Sequence, residues 1–174
     1  MTGHLWPYRG ILPSVHESVF VAPGTHIIGD VQIGEGSSLW FNCVARGDVN
    51  SIRIGARSNI QDGSIVHVTG GRFGTFIGND VLIGHQCIIH GCRLEDESFV
   101  GMGAVVMDGC VLERGAMLGA GSLLSPGKIV RSRQLWLGRP ARYVRDLSAE
   151  EIEANRQAVV HYAKLAQEYR SARA

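Results

Sequence analysis

The sequence predicts an all-β solenoid of short parallel strands followed by one C-terminal α-helix. Three observations carry this. Aliphatic residues recur every six positions through much of the chain. Glycine is abundant, at 23 of 174 residues, roughly twice ordinary usage. It stands singly among Val, Ile and Leu, with no collagen period and no linker-like clustering. Aromatic residues are only 7% of a chain that is 45% hydrophobic, which suits an interior too narrow for many rings.

The six-residue period is clearest in Leu94, Val100, Val106, Leu112, Leu118, Leu124 and Val130. It also runs through Ile33 and Leu39, through Ile54, Ile60 and Val66, and through Ile77, Ile83 and Ile89. Glycine often follows the aliphatic residue, as in Ile54-Gly55 and Val100-Gly101. Four positions after it, a small or modest residue recurs, as at Ser58, Ser64, Cys87, Ala104 and Cys110. A period of six fits neither a 3.6-residue helix nor a meander. It fits a short strand and a tight corner, repeated. Three such units close a triangular coil of about 18 residues, and coils stack roughly 4.8 Å apart. The aliphatic residue points inward, the small one fits near the corner, and glycine relaxes the backbone.

Two irregularities interrupt the rhythm. From Ala45 to Ile54 there are three residues too many, and from Val66 to Ile77 five too many, including Thr69-Gly70-Gly71. Both read as outward loops at corners. The repeat spans about 11–135, a connecting segment follows at 136–147, and a helix at 148–172 completes a single domain of about five to seven coils. Ser148-Ala149-Glu150-Glu151 opens that helix as a capping box. Ile152, Val159, Tyr162, Leu165, Ala166 and Tyr169 lie largely on one face, which packs along the prism or caps it.

The formal net charge is +1, which gives no electrostatic case for nucleic acid or an anionic membrane. No apolar run is long enough for a membrane span, and residues 1–10 do not read as a signal peptide. Cys43, Cys87, Cys92 and Cys110 form no CxxC pair. A cytoplasmic setting with reduced thiols is expected. Cys43, Cys87 and Cys110 fall at the small-residue position, where core packing is their expected role.

The repeat assigns three histidines to faces. Let the strands at Ile54, Ile60 and Val66 lie on faces one, two and three. Ile77, Ile83 and Ile89 then occupy the same faces one coil on. His67 follows Val66 and His90 follows Ile89, so both take the same outward position of face three. Two imidazoles about 5 Å apart in one column can share a metal ion. His85 follows Ile83 on face two and cannot easily join its own chain's pair. A neighbouring chain can present it. Three chains around a threefold axis, face two against face three, form three such sites. Three neutral imidazoles with an open water position are the pattern of catalytic zinc; His ligands also suit Fe or Co. His4, His16, His26 and His161 have no evident partners in the pattern.

The polar neighbours follow the same register. Arg46 lies one coil below His67, and Asp62, with Gln61 beside it, lies one coil below His85. Arg46 then faces Asp62 of the next chain, in a pairing suited to bidentate geometry. Arg46, Asp48 and Asp62 serve either the site itself or a purely structural interface. Gln61 can hold a metal-bound hydroxide by hydrogen bond, or stand as an ordinary surface residue.

At these residues the chain resembles the gamma-class carbonic anhydrases. The motifs are Arg46-Gly47-Asp48, Asn59-Ile60-Gln61-Asp62, Val66-His67-Val68, and Gly84-His85 through Ile89-His90-Gly91-Cys92. The resemblance runs from about Tyr8 to the C-terminal helix. It implies a left-handed parallel β-helix, a homotrimer, and a metal held by His67 and His90 of one chain and His85 of its neighbour. It also implies Arg46, Asp48 and Asp62 at the interface near the site, Gln61 against the metal-bound water, and Tyr162 approaching the site from the helix. The implied reaction is reversible hydration of CO2 to bicarbonate by zinc-bound hydroxide, zinc having lowered the pKa of its water toward 7. One departure matters. Val49 and the Gly70-Gly71 loop stand where the founding type carries acidic proton-relay residues, as in a short subgroup without the acidic loop. Water or buffer must then carry the proton, and turnover is expected to be slow.

Two alternatives remain open at this stage. Gly138-Arg139-Pro140-Ala141-Arg142 is similar to the segment that ends many hexapeptide acyltransferases, and some relatives resemble thioesterases. Lys128, Arg131, Arg133, Arg139, Arg142 and Arg145 could meet a CoA phosphate or simply be solvated. A transferase normally uses one catalytic His without metal, which three clustered histidines argue against. The other alternative is a catalytically silent metal-binding scaffold, favoured by the lost acidic residues.

Overall fold

The structure, a computed structural model, describes residues 3–172. Three parallel ladders wind up its length, one per face. On face three the inward residues are Leu5, Ile27, Ala45, Val66, Ile89, Val106 and Leu124, each paired in register with the next. Face one runs from Val15 to Val130 and face two from Val21 to Trp136 in the same way. The solenoid has about seven turns. Ile54 sits under Ile77, Ile60 under Ile83 and Val66 under Ile89, as the period requires.

The inward column explains the composition. Ile27, Ile60, Ile83, Ile89, Leu94 and Leu112 are wholly buried in one continuous core. Each buried aliphatic side chain contributes about 1.5–3 kcal/mol by leaving water. The small position has its own chemistry. The hydroxyls of Ser37, Ser58 and Ser64 donate to the carbonyls of Gly55, Gly78 and Gly84 in the next coil. Cys43, Cys87 and Cys110 take that position with Sγ donating to Gln61, Gly101 and Ser125 carbonyls, each at 3.1 Å. Burial pushes the Cys43 thiol up to about 12 and the Cys87 thiol to about 11. These are packing residues, as expected; all four cysteines are free.

Three features depart from the sequence reading. The extra residues between Ala45 and Ile54 do not form a loop. They belong to one 11-residue strand, Val44–Ile54, paired along His26–Ile33 with a register shift between Gly29 and Val31. Asp48–Ser51 bulge out of the ladder between the Gly29–Gly47 and Val31–Ile52 pairs, and the other neighbouring strands pair only with Val44–Ala45 and Ile52–Ile54. The rungs begin earlier than residue 11, at the strand His4–Trp6, which pairs with His26–Ile28. The segment 136–147 is a hairpin rather than a plain connector. Gln134–Gly138 forms the last parallel rung of face two and pairs antiparallel with Ala141–Asp146. The second insertion is an outward turn, closed by a bridge between Thr69 and Phe73.

The helix α1, Ala149–Ser171, starts on the expected capping box of Ser148 and Glu151. It lies against Phe20–Val21, Asn59–Ile60 and Leu82–Ile83, all on face two. Its anchor is aromatic. Tyr162 and Tyr169 meet the Trp40 ring edge-on at 5.6 and 5.4 Å, with Ala166 wholly buried beside them. Arg156 pairs with Glu97, and Arg170 donates to the Ser18 carbonyl at 2.7 Å. No helix among the described residues is long and apolar enough to cross a membrane.

Candidate metal centre

The ladder places His90 directly over His67 on face three. Their backbones alternate inward and outward, so with Val66 and Ile89 buried, both imidazoles project from the sheet. The rings lie 5.0 Å apart, with His67 Nδ1 3.0 Å from His90 Nε2.

Each ring is held from its other side. His67 Nε2 meets Asp48 Oδ1 at 3.2 Å, and Asp48 also accepts from Arg46. His90 Nδ1 meets Asp108 Oδ1 at 2.6 Å, and Asp108 Oδ2 accepts from the Thr69 hydroxyl at 2.7 Å. Burial alone would raise both carboxyls. Hydrogen bonds from Arg46 and His67 to Asp48, and from Thr69 and His90 to Asp108, outweigh it and hold both below the usual carboxylate range. Ionised carboxylates only accept, so the nitrogen facing each one is the N–H. His67 is held below the usual imidazole range, chiefly by burial, with Arg46 and His90 adding to it. A neutral His67 then points its Nδ1 lone pair at His90 Nε2. That nitrogen is likewise a lone pair whenever His90 is neutral.

The two ring nitrogens, 3.0 Å apart, can share a proton in a hydrogen bond or hold a cation between them. Two nitrogens on one tetrahedral zinc stand roughly 3.3 Å apart, so the donor set fits a divalent transition metal. Within one chain it is incomplete. No group of three or more His, Cys, Asp or Glu side chains among the described residues is arranged to hold a metal ion.

His85 sits in the turn after Leu82–Ile83, at the corner between faces two and three. Its Nδ1 meets Asp62 Oδ2 at 2.8 Å, and both side chains are half-exposed. Asp62 is thus engaged by His85 of its own chain, and Arg46 by Asp48. Gln61 is buried, and its amide donates to Asn59 Oδ1 at 3.2 Å. Tyr162 packs on Trp40 under the helix. The structure therefore gathers Arg46, Asp48, His67 and His90 in one cluster and Gln61, Asp62 and His85 near the adjoining corner. It does not bring Tyr162 to either within the chain. The helix covers the rungs Phe20–Val21, Asn59–Ile60 and Leu82–Ile83 of face two. The half-exposed Asp62 and His85 stand at the corner beyond.

Asp108 and Thr69 went unread in the sequence. The register held a signal: Ile89 lies under Val106, which sets Gly91 under Asp108. Asn59, beneath Gln61's amide, was visible only as part of a motif.

No family model matches the chain. It is 50% identical over 153 residues to a probable carbonic anhydrase of Methanocaldococcus jannaschii, covering 88% of this chain and 96% of that protein. It is 40% identical over 167 residues to a carbonic anhydrase of Geobacillus kaustophilus, covering 96% and 91%. Gamma carbonic anhydrase 2 of Arabidopsis thaliana, a mitochondrial protein, is 48% identical over 160 residues, 89% of this chain. The chain matches only 58% of that plant protein's length. Among solved structures, a hexapeptide transferase family protein of Anaplasma phagocytophilum superposes with a TM-score of 0.91 at 48% identity, covering 95% of this chain and 97% of the other. A putative acetyltransferase of Bacillus cereus gives 0.96 at 38% identity, covering 98% and 99%. On the near full-length matches to named carbonic anhydrases, and with the histidine column that the fold builds, the chain belongs to the gamma carbonic anhydrase family.

Proposed function

We propose that the protein catalyses the reversible hydration of CO2 to bicarbonate, at a metal site shared between neighbouring chains of a homotrimer. His67 and His90 of one chain and His85 of the next would hold the ion, zinc by preference, with Fe or Co as alternatives. The observation that carries this is the His67–His90 pair, whose inner nitrogens lie 3.0 Å apart while carboxylates occupy the outer ones. The ion, when bound, supplies Lewis acidity that brings a water's pKa toward neutrality.

The chain's own residues supply the rest. Asp48, Asp62 and Asp108 each hold one nitrogen of a histidine, fixing tautomer and ring orientation. Arg46 balances the charge of Asp48. Gln61, clamped by Asn59, is the amide placed beside Asp62 to orient a small neutral substrate or its hydroxyl partner. Neither exposed Val49 nor the turn at Gly70-Gly71 carries an acidic side chain. The proton must leave through water or buffer, so the rate should rise with buffer concentration.

Metal content and CO2-hydration kinetics test the proposal. Protein purified without chelator should hold close to one divalent ion per chain, and His90→Ala should lose both ion and hydration. Protein without stoichiometric metal would defeat it. Metal retained with no hydration, under reducing conditions and after metal replacement, would favour a silent scaffold. Acyl transfer is the second reading, supported by the likeness to a hexapeptide transferase family protein and a putative acetyltransferase. Arg131 and Arg145, two of the cations that could meet CoA, are already paired with Glu113 and Glu151. Acetyl-CoA turnover that survives removal of the metal would favour it.

A further inference from the structure

We infer that the turn after the first histidine serves as a strut: Thr69 fixes Asp108, and Asp108 fixes the tautomer and aim of His90. This rests on the metal-site reading above and assigns positioning roles to two residues outside the histidine set.

The geometry is a chain of constraints. His90 Nδ1 and the Asp108 carboxylate are 2.6 Å apart, and the second oxygen of Asp108 accepts from Thr69 Oγ1 at 2.7 Å. Thr69 is itself tied at the main chain. Its carbonyl accepts from Asn50 Nδ2 at 3.1 Å, and its N–H donates to the Phe73 carbonyl at 2.8 Å. The turn is therefore pinned to the long strand Val44–Ile54 on one side and closed on itself on the other. Gly91 makes room for the carboxylate. A Cβ there would stand 2.3 Å from Asp108 Oδ1 and 2.9 Å from Phe73 Cβ. Any side chain at that position would push Asp108 away from His90 or prise the turn off the solenoid.

The consequence is chemical. A neutral imidazole carries one N–H. With Asp108 taking it at Nδ1, the Nε2 lone pair is directed toward His67. Without Asp108 the ring can carry its proton at Nε2, on the side where an ion would sit, and can rotate about its side-chain bonds. Carboxylates placed behind a ligating His typically govern metal affinity 10- to 100-fold. The turn thus holds a ligand in place through Thr69 and Asp108.

Two readouts test the strut, one without metal. Nitrogen NMR of the metal-free protein should find the neutral His90 protonated at Nδ1, and Asp108→Ala should move the proton to Nε2. Competition titration with Zn2+ should show Asp108→Ala binding about 10- to 100-fold more weakly. Asp108→Asn keeps an accepting oxygen and should recover most of the affinity. Thr69→Val should bind Zn2+ more weakly than the parent but more tightly than Asp108→Ala, with a melting temperature lower by about 2–4 °C for the hydrogen bond lost. Unchanged His90 protonation together with Zn2+ affinity within twofold of the parent in Asp108→Ala would overturn the inference. If the parent binds no Zn2+, the metal reading fails by itself, while the NMR comparison still decides the strut.

Discussion

Replacing Gly101 by alanine should unseat one coil from the next. Gly101 follows Val100 at a corner of face two, and its N–H donates to the Leu118 carbonyl at 2.7 Å. A Cβ built there lies 2.4 Å from the Ala120 nitrogen and 2.8 Å from Ala120 Cα. These are backbone atoms of the coil above, with no flexible side chain to yield. Ordinary carbon contacts begin near 3.5 Å, so the coils must part locally by about 1 Å. That stretches the bond to Leu118 to roughly 3.7 Å, beyond hydrogen-bonding range. Losing the bond costs about 1 kcal/mol, and overpacking adds about 1–3. The sum is about 2–4 kcal/mol, or about 4–16 °C in Tm for a chain of this size. Gly103→Asn is the matched control. Gly103 has φ +67° with nothing within 4 Å of a built Cβ, and Gln86 already holds φ +55° at the equivalent corner one coil below. It should cost about 1 kcal/mol. Thermal melts at one fixed chain concentration make the comparison, because association shifts Tm by mass action. Equal melting temperatures for the two variants would refute the reasoning from coil spacing.

Two further outcomes follow from the helix. Tyr162→Phe keeps the edge-on contact with Trp40, so stability and CO2 hydration should both hold, whereas Tyr162→Ala should cost about 1–3 kcal/mol; slower hydration in a fully folded Tyr162→Phe protein would place the hydroxyl at the site. Glu97 accepts from Arg114 and Arg156, and these bonds hold its carboxyl below the usual range. A depressed carboxyl stabilises the fold above its unfolded pKa of about 4.3 and loses that contribution as pH falls through its folded value. Glu97→Gln should therefore reduce stability at pH 7 but not at pH 2–3, by at most about 1 kcal/mol, since both guanidinium groups stand largely in solvent. An equal loss at both pH values in urea titrations would show that packing, not charge, ties α1 down.

The solenoid was legible because its signal is periodic. One inward aliphatic per strand repeats so often that the insertions stand out, and excising the longer one sets Ile89 on Val66 and His90 on His67, as observed. The cysteines at the small-residue position were legible for the same reason. What failed depends on contacts that no period encodes. The side of the prism taken by α1 is chosen by Phe20 and Trp40, aromatic exceptions in an aliphatic chain; no spacing marks them as a helix dock. The Ala45–Ile54 insertion is carried as a bulge inside a strand, because His26–Ile33 pairs with the two ends of that strand and skips Asp48–Ser51. Asp108 joins the site through Thr69, a residue inside an insertion, where register counting stops. Thus the ligand column could be read along the chain, with Asp48 and Asp62 beside it, but not the Asp108–Thr69 pair that holds His90.

The central claim is that one site draws on two chains. Chains carrying His67→Ala and chains carrying His85→Ala should each bind almost no metal alone. Refolded together in equal amounts, they should recover about one quarter of the sites of the parent, the share of random chain contacts at which an intact His67–His90 pair meets an intact His85. Metal per chain, measured on the mixed oligomer after dialysis, reads this directly. A value near one quarter is the expected result. No recovery in a properly assembled mixture, or full binding by either variant alone, would contradict a site shared between chains.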